Sequence, residues 1–240
     1  MSRSKVRIVI KTRGWLEKLL LACGLTCIAI WAVSWLGTAV FQSWQSYAFE
    51  CRLRGDSPTF ASYAIDRGRR LIAAEEAWCG IKSEAPASPA VPPPVPPAVR
   101  RAAAPLAVPR DGLIGRLVIP RLGLGAMVRE GAGERTLALA LGHIPGTALP
   151  GQNGNVGVAG HRDTLFRSLH SIEKNDRIEF QTLAGNYDYQ VESVQVVKPE
   201  DVAVLAPGPY PELTLVTCYP FYYVGAAPDR FIVKARQVSP

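Results

Sequence analysis

"LTLVTCYPF", Leu213 to Phe221, brings a strand-like run to a cysteine and then stops it. The run alternates leucine and valine with threonine, and β-branched residues with one apolar face suit a strand buried on one side. Tyr219-Pro220 ends it, because proline lacks the N–H that a sheet ladder needs. A thiol at such an exit has four readings: a small buried hydrophobe, half of a disulfide, a metal ligand, or a nucleophile held at the rim of a sheet.

The surrounding sequence is rich in similar runs. Strands are predicted at "LIGRLVI" (113–119), "GAMV" (125–128), "NVGVAG" (155–160), "RIEFQTL" (177–183), "YDYQVESVQVV" (187–197), "LTLVTC" (213–218) and "RFIVKARQV" (230–238). Short helical pieces fit "ERTLALAL" (134–141) and "TLFRSLHSI" (164–172). Many short strands punctuated by Gly and Pro point to a sandwich or a closed barrel. The roughly 130 residues from 110 to 240 suffice for one core.

The 240-residue chain has a formal net charge of +7. From Arg110 to Pro240 thirteen Lys and Arg meet thirteen Asp and Glu, so the excess lies before residue 110. A nucleic-acid-binding domain needs a basic face on its folded part. Nothing here supplies one. Much of the charge belongs instead to the first eighteen residues, where Arg3, Lys5, Arg7, Lys11, Arg13 and Lys18 face only Glu17.

After this basic tail (1–18) comes "LLLACGLTCIAIWAVSWLGTAVF", Leu19 to Phe41, uncharged and of bilayer-spanning length. The positive-inside rule puts the N-terminus in the cytoplasm and the rest outside. The competing reading is a cleaved signal peptide, but the run is longer than a usual h-region and a small-residue cleavage site is hard to find. Residues 42–84 form a juxtamembrane segment in which "FASYAIDRGRRLIAAEEAW" has helical spacing. Residues 85–109, Pro- and Ala-rich, can bury no core and read as an extended spacer or a disordered tail.

Cys23 and Cys27 fall in the predicted span, where a small apolar role is expected. Cys51 and Cys79 bracket the helical segment and can pair in an oxidising compartment. That leaves Cys218 as the odd exported thiol. A nucleophilic thiol needs a base or an electropositive setting. Of three histidines, His170 lies in an amphipathic stretch and His143 among turn residues, whereas His161 follows "NVGVAG" at a strand exit. Two strand ends can meet at one rim of a barrel. Arg230, after a proline turn at the start of the last strand, could offer donors to an oxyanion or could be a solvated strand-end charge. No close ligand pair of zinc type is present, so no metal or cofactor is expected.

Three stretches, "GHIPGTALPGQNGNVGVAGHRDTLFRSLHSIEKNDRIEF", "LTLVTCYPF" and "PDRFIVKA", together resemble the sortases, in the family's order and most in the style of class D. The resemblance implies an eight-stranded sortase β-barrel over residues 110–240, with short helices and one preceding transmembrane helix. It implies Cys218, His161 and Arg230 as catalytic residues, His161 being the histidine after "VAG". Sortases are membrane-anchored cysteine transpeptidases. They cleave an LPxTG-like sorting signal through a thioester, then transfer the protein to an amine on peptidoglycan or on another protein. A sorting-signal hydrolase and an inert barrel used for binding or assembly are the alternatives. Some relatives bind calcium, but no dense carboxylate loop here calls for it.

Overall fold

A computed structural model describes residues 3–78 and 112–239. It divides into two compact units, Met1–Phe41 and Gln42–Pro240. The helix α1 (Arg3–Arg54) runs through both. In the first unit its side chains from Leu19 onward are exposed nearly all round, Leu21, Trp31 and Val33 among them. The helix is long and apolar enough to cross a membrane. An all-apolar surface of this kind is stable when lipid covers it.

In the second unit the last turns of α1 lead to α2 (Phe60–Trp78), the helix expected from its apolar spacing. Thr59 caps it: Ser62 N donates to Thr59 Oγ1 at 3.2 Å, satisfying one of the free N–H groups of the first turn. Trp44, Tyr47, Phe60 and Tyr63 pack edge-on or tilted between the two helices. The spacer at 85–109 and Cys79 lie outside the described residues, and with Cys79 so does its pairing with the buried Cys51.

The rest is a closed eight-stranded barrel, as the resemblance implies. The strands are β1 (Leu113–Ile119), β2 (Leu124–Glu130), β3 (Leu141–His143), β4 (Asn155–Ala159), β5 (Arg177–Thr182), β6 (Asn186–Val197), β7 (Glu212–Tyr219) and β8 (Asp229–Ser239). They close in the order β1-β2-β3-β4-β7-β8-β6-β5. Period-two alternation sends Leu117, Val128, Val156, Val158, Phe180, Tyr189, Leu213, Leu215 and Val233 into one interior core.

Two helical expectations are corrected. Over 134–141 only α3 (Glu134–Leu137) is helical, and Leu141 opens β3, a strand the sequence reading missed. Pairing wins there: Leu141 is buried against the core and registers with Val128 on β2. Gly142 permits the approach, since a Cβ would lie 2.5 Å from the carbonyl oxygen of Gly131. Over 164–172 the structure has only a 3₁₀ turn, Arg167–Ser171. Phe166, Leu169 and Ile172 are all buried there, and a spacing of three aligns on one side of a three-residue turn.

The barrel has one thin seam. β3 pairs only with Val128 to Glu130, so the first half of β2 has no strand on that flank. Gln42 of α1 fills the gap: Met127 N donates to its Oε1 at 3.0 Å, and its Nε2 donates to Leu139 O at 2.6 Å. Beside it Phe49 is fully buried with Leu113 and Met127, and the Arg116 guanidinium sits 5.5 Å from its ring centroid. Arg116 also pairs with Glu50 at 3.1 Å.

Candidate active site

β4 and β7 run parallel, with Asn155 opposite Glu212 and each following residue in step through Ala159 opposite Val216. The pairing is continued past the strand end by Gly160 N, which donates to Val216 O at 3.1 Å. Thr217 Oγ1 then donates to Gly160 O at 2.7 Å. Extending the same step brings His161 level with Cys218. On the other flank β7 pairs antiparallel with β8, and Cys218 is the register partner of Arg230. The three candidate residues therefore converge on the ends of three adjacent strands.

Strand alternation decides which way they face. Leu213, Leu215 and Thr217 of β7 are buried, the leucines in the core, so Cys218 belongs to the opposite, outer face. On β8, Val233 and Ala235 are core residues, and Arg230 has the outward parity. Cys218, His161 and Arg230 are all half-buried. Such a setting leaves a thiol reachable while walling off part of the bulk solvent.

Local sequence explains the precision. A Cβ at Gly160 would lie 2.6 Å from Phe166 Cδ2 and 2.7 Å from Leu141 Cδ2, so only glycine lets the chain pass there before His161. Phe166, fully buried, donates its N–H to His161 O at 3.1 Å and pins the following turn. At the far end of the strand pair, Thr214 Oγ1 donates to Asn155 Oδ1 at 2.7 Å, while Asn155 Nδ2 donates to Val204 O and Ala206 O. Arg230 Nη1 donates to Asp229 O at 3.0 Å and Ala227 O at 3.3 Å, which holds the guanidinium at its strand end. Asp229 in turn pairs with Lys198 at 2.7 Å.

The other two histidines sit elsewhere. His143 is buried, with Nδ1 2.8 Å from Glu130 Oε2 and Nε2 2.9 Å from Ala148 O and 3.1 Å from Thr147 Oγ1. Glu130 of β2 takes one ring nitrogen and the loop that follows β3 takes the other, a local structural role of the kind its turn-rich sequence suggests. His170 is exposed, its Nδ1 2.7 Å from Arg167 O and its ring edge-on to Phe221 and Tyr222. The sequence reading missed Arg162, whose side chain reaches the loop between β7 and β8. Its neighbour His161 drew the attention, and no spacing rule marks a bridging arginine.

A closed barrel that gathers a thiol, an imidazole and a guanidinium on neighbouring strand ends defines a class of cysteine-centred barrel proteins. Comparison with known proteins gives the family. The sortase domain model matches residues 117–238, half of the chain. The chain belongs to the sortase family.

Sortase D of Bacillus subtilis (strain 168) is 33% identical over 126 residues, covering 52% of this chain and 64% of that protein. Sortase A of Bacillus anthracis is 30% identical over 110 residues, covering 44% of this chain and 52% of that protein. The matches thus span between half and two thirds of these curated relatives. Among solved structures, a Clostridium perfringens Sortase D5 transpeptidase is 30% identical with a TM-score of 0.50, covering 55% of this chain and 83% of that one. Sortase A from Corynebacterium diphtheriae is 33% identical with a TM-score of 0.50, covering 53% of this chain and 61% of that one.

Proposed function

We propose that this protein is a membrane-anchored cysteine transpeptidase that cleaves an LPxTG-like sorting signal and transfers the released protein to an amine at the cell surface. The observation that carries the reading is the register: Cys218 opposite Arg230, and beside the β4 exit that leads to His161. In this reading the Cys218 thiolate attacks the carbonyl of the scissile peptide bond, and the electron pair moves onto the oxygen. Arg230 donates hydrogen bonds to that oxyanion. As the C–N bond breaks, His161 gives its proton to the departing amine and a Cys218 thioester remains. An incoming amine then attacks the thioester, His161 takes its proton, and the thiolate leaves. Residues 19–41 would hold the enzyme in the membrane with residues 1–18 in the cytoplasm and the barrel outside. The acceptor would be a peptidoglycan stem peptide or a protein lysine.

Mass spectrometry of sorting-signal peptides incubated with the protein, with and without an added amine, tests the proposal. Wild type should give an amine-linked product and a trapped acyl-enzyme; Cys218→Ala should give neither. Equal turnover by Cys218→Ala would remove the nucleophile from the proposal. Release of free acid alone, even with amine in excess, would make the protein a hydrolase.

A further inference from the structure

We propose that Arg162 is a positioning residue: it ties the His161 exit of β4 to the loop between β7 and β8, and so keeps imidazole, thiol and guanidinium aligned. The inference rests on the transpeptidase reading above and deepens it. Arg162 follows His161 directly in the chain, so whatever holds its side chain also restrains the backbone that presents the imidazole. Its Nη2 donates to Tyr223 O at 2.8 Å and to Gly225 O at 3.2 Å. Its guanidinium lies 5.8 Å from the Tyr223 ring centroid, within reach of a cation–π contact.

The loop that it grips runs through residues 220–228 and joins Cys218 to its register partner Arg230. At the base Phe231 packs against Phe221 and stacks with Tyr219. Further out support is sparse, for Tyr222 is 76% and Val224 99% exposed. The His170 ring lies edge-on to Tyr222, and Arg162 supplies hydrogen bonds to the tip beyond it. Gly225, at φ +100°, adopts a conformation that side-chain-bearing residues avoid, and this sets the turn whose carbonyl accepts from Arg162. A cleft of about 410 Å³ lies between Arg162–Asp163 and Phe221–Val224, with this tie across its wall.

Arg162 Nη1 is buried with no hydrogen-bond partner among the described residues. A buried donor left unbonded costs stability. Lysine keeps the charge and can donate to a carbonyl, so it should restore part of the tie, but it lacks the planar group that meets two carbonyls and lies over a ring at once.

The test compares the full-length protein in detergent with its Arg162→Ala, Arg162→Lys and Tyr223→Ala variants and the Arg162→Ala/Tyr223→Ala double variant, reading acylation by a sorting-signal peptide, hydrogen exchange over 221–226 and melting temperature. Arg162→Ala should lower the acylation kcat at least tenfold with KM within twofold and the melting temperature unchanged. Exchange at the loop should quicken, and Arg162→Lys should recover part of the rate. Tyr223→Ala should cost little once Arg162 is already alanine. Wild-type acylation by Arg162→Ala overturns the proposal, whether or not the loop loosens. So does a loss that only follows a fall in melting temperature and is not recovered by lysine. If the wild type acylates no peptide, the transpeptidase reading fails, and loop exchange alone decides whether Arg162 holds the loop.

Discussion

His143 and His161 are both imidazoles close to strand ends, yet their surroundings differ. His143 lies buried between Glu130, Thr147 and Ala148 O with no free ring nitrogen, whereas His161 stands half-buried at the exit beside Cys218. Replacing His161 with alanine should cut peptide turnover by about 10²–10⁴-fold, the usual loss of a general acid–base, with the melting temperature unchanged. His143→Ala should instead leave buried groups unbonded and cost about 1–3 kcal/mol of stability. Turnover by the folded His143→Ala protein should stay close to wild type. Parallel steady-state kinetics and thermal melts check both; a folded but inactive His143→Ala would reverse the assignment of the two rings.

At the scale of elements, a carboxylate outside the site locks two turns together. Arg121, in the 3₁₀ turn Pro120–Leu122, donates from Nε to Asp176 Oδ1 at 2.5 Å and from Nη2 to Oδ2 at 2.6 Å, and also to Ser171 O. Asp176 Oδ2 accepts from Glu173 N at 2.8 Å as well. The hydrogen bonds from Arg121 above all hold the Asp176 carboxyl below its ordinary range. A lowered folded value means that the stabilisation is complete above about pH 4 and fades as the pH falls through that lowered value. Asp176→Asn should therefore melt lower than wild type at pH 7, and the gap should narrow below about pH 4. A gap that stays constant down to pH 2 would show that the ion pair contributes nothing. Elements of this kind also mark how far the sequence could be read. Seven strands announced themselves by alternation, and "LTLVTC" and "NVGVAG" located two strand ends of the candidate site. β3 did not, because a three-residue strand has no period to display and its one leucine continues the helical spacing of "ERTLALAL" equally well. The turn at 167–171 looked α-helical, because spacings of three and four both satisfy a short apolar pattern. That His161 lies level with Cys218 follows from which strands pair, and pairing between segments 57 residues apart leaves no local trace.

In the second compact unit, the helical segment before the barrel is part of its packing. Phe49 shares a buried cluster with Leu113 and Met127, and Gln42 supplies backbone partners where β2 lacks a strand. Burying one phenylalanine contributes about 1.5–3 kcal/mol. A fragment comprising 42–240 should accordingly melt several degrees above one comprising 112–240, since about 1 kcal/mol moves the midpoint of a domain this size by about 2–4 °C. Phe49→Ala in the longer fragment should erase most of the difference; equal midpoints for the two fragments would show that the helix merely rests on the barrel. The straight, unbroken step between β4 and β7 bears on how the domain can vary in length. Residues can be gained or lost in the turns between those strands without moving Cys218 out of line with His161, so long as the carbonyls of Val204 and Ala206 keep their bonds to Asn155. One residue removed between Leu213 and Thr217 would rotate the thiol into the barrel interior. Length is thus free where the chain is unpaired and fixed where it is paired: the reading frame of a single strand, more than the distance along the chain, keeps Cys218 and His161 together.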